Sequence, residues 1–217
     1  SKVIDFIKKH ILLFLLVAVT IIAIFLRICG MDFQSDDFNS FLNSWWSIIK
    51  LNDFTGLATQ VGNYNIPYQI IIYLMTLLPL NALYAYKIVS IIFDFILAIS
   101  TAMLVYSFAN NNRRLKAILT YSAVLLSATV IFNSSFWAQC DSIYTSFIIL
   151  AILFLHKDKP IASFVFIGIA FAFKLQTVFI IPVLLYYWIS TKKISILHFF
   201  IIPAVDVIMC LPAIIMG

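Results

Sequence analysis

MDFQSDDFNSFLNSWWSIIKLNDFTGLATQVGNYNIPY, residues 31–68, is a polar island set between long apolar runs. Four of the chain's nine acidic residues, Asp32, Asp36, Asp37 and Asp53, lie in it, with two of its four tryptophans. Ser35 is placed to cap a helix beginning at Asp36, which puts both aspartates in the first turn, where the helix dipole favours negative charge. Phe38, Phe41, Leu42, Trp45, Ile48 and Ile49 follow at three- and four-residue intervals, while Asn39, Asn43, Ser44 and Ser47 fall largely elsewhere. That spacing predicts an amphipathic helix lying on a membrane surface, with Asp36 and Asp37 at the water boundary. The island closes on Asn63, Tyr64 and Asn65, a turn ahead of Pro67.

The flanking composition supplies the membrane. Of 217 residues 64% are apolar and 11% charged, with a mean hydropathy of +1.07, so there is too little polar surface to cover a soluble globule. The expected fold is an all-α polytopic membrane protein forming one module over residues 1–217. The net charge of +5 comes from short basic clusters between apolar runs, as orientation signals do, which argues against nucleic acid as a partner. Cys29, Cys140 and Cys210 are scattered, without a disulfide framework or metal-ligand spacing. The first run follows Lys8 and Lys9 but lacks a small-residue cleavage site, so it reads as a retained helix and not a secretion signal.

Seven apolar runs are candidates for crossing: 11–28, 85–109, 115–132, 141–155, 161–173, 177–189 and 196–215. Several fall short of the roughly 20 residues that a perpendicular span needs, which implies polar and aromatic flanks or a locally thin bilayer. An eighth run, 66–80, is bracketed by Pro67 and Pro79. If it does not cross and the N-terminus is cytoplasmic, Lys2, Lys8, Lys9, Arg113, Arg114, Lys116, Lys157, Lys159, Lys192 and Lys193 all fall inside. Letting it cross would move seven of those ten outside, against the positive-inside rule. The pattern therefore predicts seven spans, N-terminus in and C-terminus out, with an outer loop over 30–84. Segment 66–80 then lies at, or dips into, the outer interface.

In this topology polar outliers converge on the outer side. Asp36 or Asp37 is a candidate general base for a hydroxyl nucleophile, and since neighbours on a helix point apart only one can serve. An acidic cap in a solvated loop is the plainer alternative. Asp94, within a span, is costly to bury and calls for a cavity or a partner; Lys87, two turns earlier, is the candidate partner. Asp141 serves equally as cap of its helix or as a substrate contact. Arg27 and Lys174 either snorkel to the interface or bind a lipid phosphate and offset the charge that grows on it. Trp137 and Gln139, in the loop NSSFWAQCD, and Gln176 beside Lys174 complete the polar set, while Asn63, Tyr64 and Asn65 form either a simple turn or a group that orients substrate. His10, His156 and His198 lie near the inner ends, with no metal-site spacing.

QSDDFNSFLNSWW, GNYNIPY, KIVSIIFDFILA, NSSFWAQCDSIY and AFKLQTVFIIPVLL, in this order, resemble the motifs of the GT-C superfamily of polyprenyl-phosphate-dependent glycosyltransferases. Within it, the chain resembles the bacterial PIG-V-like group, related to the second mannosyltransferase of GPI-anchor synthesis. The resemblance implies a seven-helix module of the cytoplasmic membrane with its active site on the outer face. It implies transfer of a monosaccharide, with inversion, from a polyprenyl-phosphate donor to a hydroxyl of a cell-envelope glycan, glycolipid or protein. It places the base on Asp37, with Asp36, where the family commonly has Gly, as the alternative. Lys174, Arg27 or Lys87 would hold the donor phosphate; Asp94, Asp141, Gln176, Gln139, Trp137 and the turn Asn63, Tyr64, Asn65 would shape the pocket. Ala138 stands where Gly is usual, and Leu175 where Pro is frequent. No redox cofactor is implied, and a divalent metal is compatible with the sequence without being required by it. The chain opens without Met and stops soon after a run, as a truncated module or a short member would. The competing expectations are a lipid or polysaccharide transporter using Asp94 and Asp206, and a non-catalytic membrane assembly partner.

Overall fold

The computed structural model describes residues 2–216; the side chains of Lys2, Lys8 and Lys9, counted above among the inner basic residues, lie outside what is described. All regular elements among the described residues are helical. They are α1 (Lys2–Ile28), α2 (Asn43–Asn52), α3 (Ile66–Thr76), α4 (Ala82–Phe108), α5 (Arg113–Leu125), α6 (Ala128–Ile131), α7 (Asp141–His156), α8 (Pro160–Phe173), α9 (Ile181–Thr191) and α10 (Ile201–Met216). Two π-helical turns, Phe38–Leu42 and Phe132–Phe136, interrupt them.

Three stretches, His10–Ile28, Ala82–Phe108 and Ile196–Ile215, are long and apolar enough to cross a membrane, and α5 with the segment Ala128–Phe136 makes a fourth if that bent pair is one span. The architecture is that of a helical membrane protein. Large apolar side chains such as Ile21, Phe25 and Ile28 on α1 and Ile208 and Ile214 on α10 face outward, as lipid contact requires. The other predicted runs also form helices, but short ones. The 16 residues of α7 rise about 24 Å against a hydrocarbon core of roughly 30 Å, so length by itself accounts for fewer crossings than seven.

The long helices pack in a row, α1 on α5, α5 on α4, α4 on α7, α7 on α8 and α8 on α10. Gly168 permits the last contact, since a Cβ there would sit 2.7 Å from Val205 Cβ. The run predicted as one span over 115–132 is bent by 50° between α5 and α6. The Leu125 carbonyl, released from its helical partner at the break, accepts instead from Arg27 Nη1 at 3.0 Å. A side chain from another helix has entered the ladder, a recognised cause of kinking.

The loop over 30–84 does not spread along a surface. Phe38, Leu42, Trp45, Trp46 and Ile49 are buried, together with Tyr68, Ile72 and Met75 of α3, Ala85 and Tyr86 of α4, and Cys140 and Ile143. One expectation is corrected here. The predicted stripe is split, because the π turn at Phe38–Leu42 rotates the helix: Trp46 turns inward while Phe41 and Ile48 remain exposed. The segment over 66–80 contributes an 11-residue helix, about 16 Å long, that packs among α2, α4, α8 and α10.

Candidate functional site

The site begins where α1 ends. Lys87, at the start of α4, donates its three ammonium protons to backbone carbonyls of the turn that follows α1, Gly30 at 2.7 Å, Met31 at 3.0 Å and Phe33 at 2.5 Å. Its donor capacity is thereby filled. Tyr84 adds a bond to Asp32 Oδ1 at 2.6 Å. Ser35 then caps the next helix as its sequence predicts, with Phe38 N donating to Ser35 Oγ at 3.1 Å. Asp36 and Asp37 occupy the first turn: Asp36 is exposed and Asp37 half-buried.

From Asp37 a continuous polar chain crosses three loops. Gln139 Nε2 donates to Asp37 Oδ2 at 2.7 Å, and Tyr64 OH donates to Gln139 Oε1 at 2.7 Å. The Tyr64 ring lies 5.6 Å from Lys174 Nζ. Lys174 pairs with Asp141 Oδ1, whose second oxygen accepts from Asn133 Nδ2 at 2.8 Å. The amide of Gln139 is thus set by its two neighbours: its N–H meets a carboxylate, its oxygen a phenol. Asp37 Oδ1 has no protein partner among the described residues.

The electrostatics fit these roles. Burial, then Cys140 and the Asp141 and Asp37 carboxylates, push the Tyr64 phenol well above its ordinary value, so it keeps the proton that it donates to Gln139. Burial likewise drives the Cys140 thiol up to about 12, leaving it neutral. For Lys174, burial works to lower the pKa, but the adjoining Asp141 carboxylate, helped by Cys140 and Tyr144, outweighs it and the net direction is up.

Two hollows meet at Tyr64. One, of about 120 Å³, is lined by Asp37, Phe41, Trp45, Asn63, Tyr64 and Gln139 among others. The other, of about 480 Å³, is lined by Asn63, Tyr64, Asn65, Lys174, Gln176 and the apolar Phe173, Val178 and Phe179. One hollow therefore carries a carboxylate and its neighbour a cation beside an apolar wall. Trp45 meets the Tyr64 ring edge-on at 5.5 Å, and Gly62, at φ +83°, lets Trp45 lie there.

The structure thus brings together Asp37, Asn63, Tyr64, Asn65, Gln139, Asp141, Lys174 and Gln176. It sets others apart. Arg27 is buried and paired with Asp94, its Nε and Nη2 each 2.9 Å from Asp94 Oδ2. Asp94 also accepts from Ser134 at 2.5 Å and Ser142 at 2.6 Å. This corrects the proposed Lys87–Asp94 pair: the partner comes from α1, and Arg27 and Lys87 are both fully buried, with their donors turned to groups inside the protein and away from both hollows. Asp94 shapes a helix junction, not a pocket. Trp137 stands among Phe33 and Phe132, with its carbonyl accepting from Ser35 Oγ at 3.3 Å. Asn133, Ser134 and Ser142 emerge as supporting residues that the sequence pattern passes over, since nothing in local spacing marks a serine that reaches another helix.

Both π turns adjoin this site, one directly after Asp37 and the other ahead of Trp137; such turns are frequent at functional sites. Ala138 takes φ +58°, the left-handed region that glycine enters at no cost. Among the described residues no group of three or more His, Cys, Asp or Glu side chains is placed to hold a metal. No protein-family model, curated protein or solved structure matches the chain.

Proposed function

We propose that the chain is the catalytic module of a membrane glycosyltransferase of GT-C type, which moves a monosaccharide with inversion from a polyprenyl-phosphate donor to a hydroxyl acceptor. The observation that carries this reading is the polar chain from Asp37 through Gln139 and Tyr64 to the Lys174–Asp141 pair, with a hollow on either side of Tyr64. In this reading the larger hollow takes the donor: Lys174 binds the lipid phosphate, the apolar wall of Phe173, Val178 and Phe179 takes the start of the prenyl chain, and Asn63, Asn65 and Gln176 orient the sugar. Asp37 Oδ1 removes the proton from the acceptor oxygen as that oxygen bonds to the anomeric carbon. The bond from that carbon to the phosphate oxygen breaks, and the phosphate leaves with the charge that Lys174 offsets. Gln139 orients the Asp37 carboxylate by donating to Oδ2, which leaves Oδ1 free to face the acceptor.

The membrane topology we assign to this enzyme has seven crossings, N-terminus inside and the site outside, in the cytoplasmic membrane. The basic clusters at 113–116, 157–159 and 192–193 support it, because each sits at the end of the helices remote from Asp37. The short α7 and α8 then cross a thinned bilayer or one completed by their polar ends. A carrier using Asp94 as a titrating group is disfavoured by the Arg27 pairing, which commits that carboxylate to structure.

Asp37→Asn tests the assignment. With a panel of polyprenyl-phosphate sugars, turnover is expected to fall at least about 100-fold, a general base's typical share, while the donor is retained. Wild-type turnover in this variant removes Asp37 from the mechanism. Flux of a lipid-linked glycan, unchanged by the substitution and without sugar transfer, would instead identify a transporter.

A further inference from the structure

At the end of the bundle remote from Asp37 and Lys174, α1, the C-terminal half of α4 and the N-terminal half of α5 enclose a cleft of about 610 Å³, within the range of ligand-holding cavities. Along α4, Lys87 at the site end and Tyr106 on the cleft wall are separated by about 28 Å, close to the thickness of a hydrocarbon core. The wall is apolar, with Leu16, Ile99, Ala102, Met103 and Ile118. Its polar atoms satisfy one another. Thr20 Oγ1 donates to Leu16 O at 2.8 Å and accepts from Tyr121 OH at 3.0 Å, so the interior asks for no polar guest.

The mouth is different. Arg113 and Lys157 line it. Arg113 is held over Tyr106, with Nε donating to the Tyr106 carbonyl at 2.9 Å and the guanidinium 4.4 Å from the ring centroid. Among the described residues neither cation has an acidic partner within 4.0 Å, and Asp158, beside Lys157, is already paired with Lys193 at 2.8 Å. A second hollow of about 430 Å³ shares Tyr106 and Arg113 and is also lined by Arg114. An apolar cleft between helices thus ends, at bilayer depth, in uncompensated positive charge.

We propose that this cleft seats an anionic membrane phospholipid, one acyl chain lying between α1, α4 and α5 and the headgroup phosphate bound by Arg113 and Lys157. Basic pockets between membrane helices bind anionic headgroups on these terms, and a guanidinium fork matches a phosphate in charge-assisted hydrogen bonds. The cleft lies apart from the proposed transfer site, and its lipid is bound whether or not Asp37 is catalytic. A zwitterionic lipid fills the same volume but leaves the two cations without a net counter-charge.

The test is native mass spectrometry of the full chain in nonionic detergent, titrated with phosphatidylglycerol and with phosphatidylcholine of the same acyl chains. Phosphatidylglycerol is expected to remain bound where phosphatidylcholine is lost, and glycerol phosphate, a headgroup without chains, is expected not to displace it. Arg113→Gln combined with Lys157→Gln, both at exposed positions, is expected to weaken retention by about 25-fold, about fivefold for each basic residue removed. Ala117→Phe, which fills the cleft, is expected to abolish retention with an unchanged melting temperature. Equal retention of the two lipids, displacement by glycerol phosphate, or full retention in the double glutamine variant overturns the proposal.

Discussion

Asp94 and Arg27 are an ion pair withdrawn from solvent, and each is compensated in the bundle by the other. Removing one partner strands a charge, which costs far more than the pair is worth. Asp94→Ala is therefore expected to destabilise the protein by about 3–5 kcal/mol, while Arg27→Met with Asp94→Leu recovers most of that loss. Unfolding monitored in detergent, wild type against single and double variants, distinguishes these outcomes. Equal losses in the single and double variants would show that the pair is not the source. Lys174 is the contrasting case, a cation near the surface whose pKa is raised. A raised value means that the protonated form persists: the charge is present at neutral pH and is lost only above the ordinary lysine value of 10.5. Retention of a polyprenyl-phosphate by Lys174 is thus expected to stay flat from about pH 7 to about pH 9, and a fall within that interval would point to another group.

The elements around the site are held by backbone irregularities as much as by packing. Gly62 takes φ +83°, and a Cβ there would lie 2.2 Å from Trp45 Cε2. Gly62→Ala is expected to cost about 1–3 kcal/mol through overpacking and to turn Trp45 away from Tyr64, seen as a shift in tryptophan emission and a lower melting temperature. The opposite holds at Ala138, where the left-handed backbone penalises any Cβ. Ala138→Gly relieves a strain of roughly 1–2 kcal/mol but frees the unfolded chain by about 0.5–1 kcal/mol, so a small net gain in melting temperature is expected. The break after α5 is a third such place. Its open carbonyl is matched to Arg27, so the helix bends where a side chain on α1 can compensate it.

For the molecule as a whole, the testable quantity is sidedness. The candidate site gathers from the loop after α1, the turn before α3, the segment before α7 and the link after α8, whereas the basic clusters lie at the other ends of the same helices. An impermeant maleimide applied to intact cells is expected to label Gln176→Cys and to leave Arg113→Cys unmodified until the membrane is opened. The reverse pattern would place the site on the cytoplasmic side and remove an externally delivered glycolipid from consideration. Wild-type Cys29 is exposed, so the assay belongs on a Cys29→Ser background.

Composition and local pattern determined a good deal unaided. Apolar runs bounded by charge marked the helices, because helix length and hydropathy are properties of contiguous sequence. Ser35 declared its cap for the same reason, since a capping bond reaches only three residues. Asp37 and Tyr64 within the polar island, and Lys174 between two later runs, also stood out as residues out of place in so apolar a chain. What stayed hidden was partnership. Lys87 lies two turns from Asp94 on one helix and reads as its mate, yet Arg27, 67 positions away, holds that carboxylate, while Lys87 ties down the turn that aims Asp37. Which of Asp36 and Asp37 meets Gln139 is of the same kind, decided by where the segment before α7 falls. Ion pairs and amide contacts between helices depend on how the bundle closes, and closure is decided by packing summed over the whole chain, which no window of sequence contains.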